Sequence, residues 1–149
     1  MRTVDVVTDV VIHRPLKDVE AYASNPDNAP NWYTNIKAVE WKTPRPLGLG
    51  SRIGFVAQFL GRRMEYTYAV AELVPGERLA MRTSDGPFPM ETTYRWEPLA
   101  PDRTRMSLRN RGKPAGFSSW LGPIMAFAIR RANKKDLALL KARLEGSDH

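Results

Sequence analysis

The sequence predicts an α+β protein in which a curved antiparallel β-sheet wraps around one long C-terminal helix, with two short helices after the first strand. Three observations predict it. Between Phe117 and Leu144, residues Ala126, Ile129, Asn133, Leu137, Leu140 and Leu144 recur at steps of three and four, the spacing of one buried helix face. From Ile36 to Arg111, apolar and polar residues alternate in runs separated by Gly and Pro turn signals. Between the first strand pattern and that meander, the period lengthens around Pro15, a residue suited to the first turn of a helix.

The elements follow in order. Val4 and Val6 and, after a break, Val10 and Ile12 alternate with Asp5 and Asp9 in the first strand. Leu16, Val19, Tyr22 and Ala23 then form one helix face, which Ser24-Asn25-Pro26 ends, capping a very short second helix that leads to Trp32. Strands are expected at Ile36 to Lys42, Arg52 to Phe59, Arg63 to Leu73, Arg78 to Ser84, Met90 to Glu97 and Arg103 to Arg111. Leu60-Gly61 and Pro75-Gly76 turn the chain between them, glycine supplying the positive φ of a tight turn. In the last strand Arg103, Arg105, Ser107, Arg109 and Arg111 alternate strictly with Thr104, Met106, Leu108 and Asn110, an outer arginine face against a core face. Glu91 and Glu97 fall on that outer face, in position to pair with arginines. Pro123 sets the start of the long helix or kinks it, leaving Phe117 to Leu121 as a separate turn.

At 149 residues the chain is expected to form a single domain, residues 1–149, with a core large enough to need no staples. The absence of cysteine excludes disulfides and thiolate metal sites and fits a reducing compartment. His13 and His149 lie at opposite ends, which argues against a histidine metal site, and no metal or other cofactor is expected. Met1-Arg2-Thr3 leads straight into the first strand pattern, so a cytoplasmic protein without a signal peptide is expected. The most apolar window, Trp120 to Ile129, contains Gly122 and Pro123 and is too short to span a bilayer.

The net charge of +7 comes entirely from the last third: residues 1–99 hold 12 Lys or Arg against 12 Asp or Glu, and residues 100–149 hold 11 against four. A solvated face, an anionic membrane surface and nucleic acid all fit such an asymmetry. Nucleic acid is disfavoured because the aromatics that a single-strand platform needs alternate to the face opposite the arginines. Transient contact with an anionic membrane stays open, although no exposed apolar stripe is expected beside the helix charges Arg130, Arg131, Lys134, Lys135, Lys141 and Arg143.

The order of strand, two short helices, six-stranded meander and long helix resembles the helix-grip fold of the SRPBCC superfamily. That superfamily contains polyketide cyclase/dehydratase-like proteins, lipid-transfer START domains and relatives of the birch-pollen allergen. The resemblance covers nearly the whole chain. It rests on the opening VIHRPLKDVEAYASNPDNAPNW, on ELVPGERLAMRT, on PMETTYRWEPLAPDRTRMSL and on the closing NKKDLALLKARLE. These are motifs of fold, not of catalysis. The resemblance implies a small hydrophobic or amphipathic guest, lipid- or polyketide-like, held between the sheet and the C-terminal helix.

The inner faces point the same way by composition. Phe55, Phe59, Tyr66, Tyr68, Met81, Met90, Tyr94 and Met106 come from the strands, with Trp32, Phe117, Trp120, Met125 and Ile129 from the helices around them. Adaptable Met and amphipathic Tyr suit a surface that accommodates a guest, whereas a solid core favours Leu, Ile and Val. Thr92, Asn110 and Asn133 are the polar members of the set. Asn133 has two open readings, a bond to a neighbouring strand or water, and a ligand contact. Whether the protein is an enzyme stays open too. No inward carboxylate pair is visible, and neither a nucleophile beside a base nor a phosphate loop occurs. A cyclase/dehydratase-like activity would have to draw on Tyr66, Tyr94 or His13. A membrane-surface module handling lipid is the third alternative, and oligomeric state is not legible.

Overall fold

Among the described residues, alternation and turn chemistry build seven strands and three α-helices. The computed structural model describes residues 4–59, 61–85, 89–113 and 122–146. In chain order these are β1 (Val4–Ile12), α1 (Leu16–Ala23), a 3₁₀ turn (Pro26–Asn28), α2 (Ala29–Trp32), β2 (Ile36–Trp41), β3 (Arg52–Phe59), β4 (Arg62–Val74), β5 (Arg78–Asp85), β6 (Met90–Ala100), β7 (Arg103–Gly112) and α3 (Gly122–Gly146). The expected separate turn at Phe117 to Leu121 lies outside the described residues.

The strands form one antiparallel sheet in the order β1-β7-β6-β5-β4-β3-β2. Every neighbour but one is also a neighbour in sequence, and the exception places β1 beside β7 with Val4 opposite Gly112 and Ile12 opposite Thr104. Register shifts interrupt β2–β3 at Ile36/Ala38, β4–β5 at Thr67/Tyr68 and Val70/Glu72, and β6–β7 at Pro98/Ala100. Such bulges bend a strand and increase its twist, which curls the sheet into a half-barrel. Gly61 and Gly76 take φ of 75° and 77° at the turns flanking β4, the left-handed conformation expected of them. This is the helix-grip fold.

The first strand has no break. Thr8 fills the gap between Val6 and Val10 and is buried on the same inner face, so a hydroxyl occupies a position that apolar periodicity alone would miss. The helix α1 buries Val19 and Ala23, and the Asn25 side chain caps the following turn by accepting from the Asp27 N–H at 3.1 Å.

The long helix is held unequally along its length. Leu137, Leu140 and Leu144 belong to the main buried cluster with Ile12, Val19, Trp32, Met106 and Leu108. Toward its start, Met125, Ala126 and Ile129 form a smaller cluster with Val4 and Val6. The far end is further fixed by polar contacts. Arg14 donates to the Leu144 carbonyl at 2.6 Å, satisfying an acceptor that the helix itself leaves open. Lys141 donates to the Val11 carbonyl at 2.7 Å and pairs with Glu145, so it is half-buried rather than part of a free charged face. Arg143 likewise reaches the Asn31 carbonyl at 3.2 Å.

The convex arginines form a lattice with acids from two strands, β1 and β6. Arg105 meets Glu97 at 2.9 Å as expected, whereas Glu91 binds Arg82 of β5, and Arg109 is held by Asp5 of β1 at 2.6 and 2.9 Å. Exposed pairs of this kind contribute roughly 0–1 kcal/mol each. Contrary to expectation, an apolar pair is exposed beside the helix charges: Ile124 and Phe127 are 56% and 54% accessible next to Arg131. Among the described residues no helix is long and apolar enough to cross a membrane.

Candidate functional site: a cavity between sheet and helix

Because the sheet curls away from the first half of α3, a space of about 160 Å³ remains between them. A cavity of about 150 Å³ suffices for an aromatic ring, so this one has room for a small guest. Along α3 its wall runs from Met125 to Asp136, about 16 Å at 1.5 Å per residue. Eleven residues singled out from the sequence line it: Phe55, Tyr66, Tyr68, Met81, Met90, Thr92, Tyr94, Asn110, Met125, Ile129 and Asn133.

Two others do not border it. Trp32 is fully buried behind the wall, its ring 4.1 Å from that of Tyr33 and 5.8 Å from that of Tyr94. Met106 is fully buried in the main cluster with Leu137 and Leu140 and is not among the residues that border the cavity. Residue type could not distinguish positions that border the cavity from those buried away from it. Phe117, Trp120 and the Phe59 side chain lie outside the described residues.

Other lining residues escaped the sequence reading. Tyr33 and Asn35 come from the irregular link after α2, Ala57 and Met64 face each other across β3 and β4, and Ala132 and Asp136 come from α3. Alanine signals nothing by its type, yet Ala57 and Ala132 leave the room that larger side chains would take. Asp136 sits among Lys134 and Lys135, where a carboxylate reads as one partner of a solvated ion pair. Its position three residues after Asn133 places it on the same face.

The polar groups of the wall fall into two sets. In the first, the Thr92 hydroxyl donates to Asn110 Oδ1 at 2.6 Å, and Tyr68 lies 2.7 Å from that hydroxyl. Thr92 has one proton and Oδ1 can only accept, so Tyr68 must be the donor to Thr92. Asn110 passes the direction on, its Nδ2 donating to Asn133 Oδ1 at 3.1 Å. The relay ends on Asn133 Nδ2, a buried donor with no acceptor among the described residues. Asn133 therefore both bonds a strand and borders the cavity.

The second set lies around Asp136. Its Oδ1 accepts from the Thr34 N–H and the Thr34 hydroxyl, both at 3.0 Å, which ties α3 to the link after α2. Burial raises its pKa from 3.8 to about 6, the Thr34 bonds opposing that rise. The hydroxyls of Tyr33 and Tyr94 lie 2.6 Å apart. Desolvation pushes the Tyr68 phenol up to about 12 and lifts Tyr33, Tyr66 and Tyr94 well above their ordinary value, so all four are protonated donors at neutral pH. Asp136 alone in this wall titrates near neutrality. His13 is exposed at the end of β1, and its backbone N–H donates to Glu145 at 2.8 Å. Among the described residues no three His, Cys, Asp or Glu come together as a metal site.

The sequence pattern of the family described as "Polyketide cyclase / dehydrase and lipid transport" matches residues 3–145. The chain belongs to this family. Among solved structures, the family member is similar to TTHA0849 from Thermus thermophilus, with a TM-score of 0.84 and 17% identity over 97% of this chain and 99% of that one. It is similar to the ZhuI aromatase/cyclase from Streptomyces sp. R1128, with a TM-score of 0.80 and 16% identity over 97% and 94% of the two chains. A START superfamily protein from Mycobacterium smegmatis gives a TM-score of 0.82 and 16% identity over 95% and 97%. At such identities the likeness is one of fold. A search of curated proteins by sequence finds no match.

Proposed function

We propose that this protein binds a small hydrophobic or amphipathic molecule in the space between the sheet and α3. The observation that carries this reading is the cavity itself, walled by Phe55, Tyr66, Tyr68, Met81, Met90 and Ile129 between the sheet and α3. A large, mostly apolar pocket with a few converging polar groups is the usual form of a small-molecule site. Membership of a family described by cyclase, dehydrase and lipid transport supports the same reading. Native mass spectrometry of freshly purified protein tests it. Adducts of small-molecule mass that Ala57→Leu abolishes are expected, and a wild type that neither carries nor takes up any apolar molecule overturns the proposal.

One observation favours a second reading, a cyclase- or dehydratase-like enzyme. Asp136 borders the cavity with a pKa near 6, beside the protonated phenols of Tyr33 and Tyr94. A carboxyl poised near neutrality can take and return a proton, and a phenol can donate to a developing oxyanion. Turnover of an aromatic polyketide-like probe that Tyr94→Phe abolishes while binding persists would establish this reading over simple binding.

A further inference from the structure

At the Asp136 end of the cavity, three groups have unused hydrogen-bonding capacity. Asp136 takes both bonds from Thr34 on Oδ1, and its Oδ2 has no partner among the described residues. The Tyr33 and Tyr94 hydroxyls carry two protons and use one between them, so one O–H remains to donate. Neither phenol is hydrogen-bonded to Asp136. The Tyr66 hydroxyl, in the same wall, also has no partner among the described residues. An acceptor and donors thus border the same apolar cavity, and among the described residues nothing of the protein's own joins them.

The charge of the wall narrows what can join them. Among the described lining residues the only cation is Arg111, and it belongs to the opposite end, where β7 finishes beside Val4 and Met90. There its Nε faces Asp5 at 4.0 Å. Lys135 acts on Asp136 through space but does not line the cavity, so at the Asp136 end no described lining residue is a cation that could receive a second anion.

We propose that the Asp136 end is a subsite for an uncharged, hydroxyl-bearing ring compound of the phenol or enol class, whose O–H donates to Asp136 Oδ2 while its oxygen accepts from a tyrosine O–H. The subsite rests on the ligand-binding reading above and specifies its chemistry. A hydrocarbon of the same shape leaves the carboxylate and the phenols unpaired. A carboxylate guest sets two like charges side by side, which disfavours ionisation of one of them. Free fatty acids, entering head first, are accordingly poor guests.

Three probes of one ring system test this: 2-naphthol, naphthalene and 2-naphthoate, titrated into the full chain at about pH 7.5 by calorimetry. The expected order is 2-naphthol tighter than naphthalene by about tenfold, the effect of one hydrogen bond to a charged group, with 2-naphthoate the weakest. Asp136→Asn keeps an oxygen for Thr34 and removes the charge, so it should weaken 2-naphthol and strengthen 2-naphthoate until the two bind alike. Equal affinity of the wild type for 2-naphthol and naphthalene, or 2-naphthoate binding as tightly as 2-naphthol, overturns the subsite while leaving the pocket reading intact. If none of the three binds, the subsite falls, and the pocket reading falls with it when native mass spectrometry also finds no apolar molecule carried or taken up.

Discussion

Asn110 donates its side-chain amide to Asn133 Oδ1 at 3.1 Å, joining β7 to α3 across the wall of the cavity. The bond leaves Asn133 Nδ2 without an acceptor among the described residues. Asn133→Leu removes that unmet donor but strands Asn110 Nδ2, exchanging one unsatisfied group for another. Stability should therefore change by less than about 1 kcal/mol. Affinity for a carbonyl-bearing probe such as 2-acetonaphthone should fall about fivefold as the donor is lost. Chemical denaturation and calorimetry on the same preparation check both, and a stabilised variant with unchanged affinity would mark Asn133 as a structural residue only.

Asp136 makes stability depend on pH. Its pKa is raised from 3.8 to about 6 on folding, so the folded chain holds this proton more tightly than the unfolded chain. The resulting stabilisation is full below about pH 4, declines between about 4 and 6, and is absent above, a difference on the order of 3 kcal/mol. Asp136→Asn should raise the melting temperature clearly at about pH 7.5 and little at about pH 4. Equal shifts at the two pH values would show that the carboxyl is not desolvated as the structure indicates.

Thr8 is buried on the inner face of β1 with a hydroxyl that has no partner among the described residues. Valine has the same shape without the polar group. Thr8→Val is expected to stabilise the fold by on the order of 1 kcal/mol, read as a higher denaturant midpoint at unchanged slope. A loss of stability would show that the hydroxyl has a partner in solution.

Ala57 borders the cavity opposite Met64. Extra volume at a well-packed site costs about 1–3 kcal/mol, but here it enters an existing space. Ala57→Leu should fold with a melting temperature no lower than wild type and bind 2-naphthol at least about tenfold more weakly. Marked destabilisation would show that the space is smaller than it measures.

Much of the fold is legible in the sequence because its signals are periodic. The strict alternation of Arg103 to Arg111 defines β7 and both its faces, and the stripe from Ile129 to Leu144 defines the gripped side of α3. The cavity is less legible because it arises from differences that periodicity does not carry. Ala57 and Ala132 shape it by being small, Tyr33 enters from a link without a repeat, and Asp136 is disguised by neighbouring lysines. Trp32 and Met106 have the right chemistry for a wall and yet do not border the cavity. Thr8, read as a gap, is part of a continuous strand because a buried hydroxyl looks polar in sequence and fits like valine in space.

The uneven grip on α3 separates two jobs that most small proteins must carry out with the same residues. Leu137, Leu140, Leu144 and the Arg14 contact hold the chain together at one end, while Met81, Met90, Met125 and Ile129 surround empty room at the other. Substitutions in the second group change the shape of that room, and those at Met81 and Met125, themselves buried, also touch the packing. Structures with TM-scores of 0.80–0.84 at 16–17% identity show how little of the sequence this shape needs to keep.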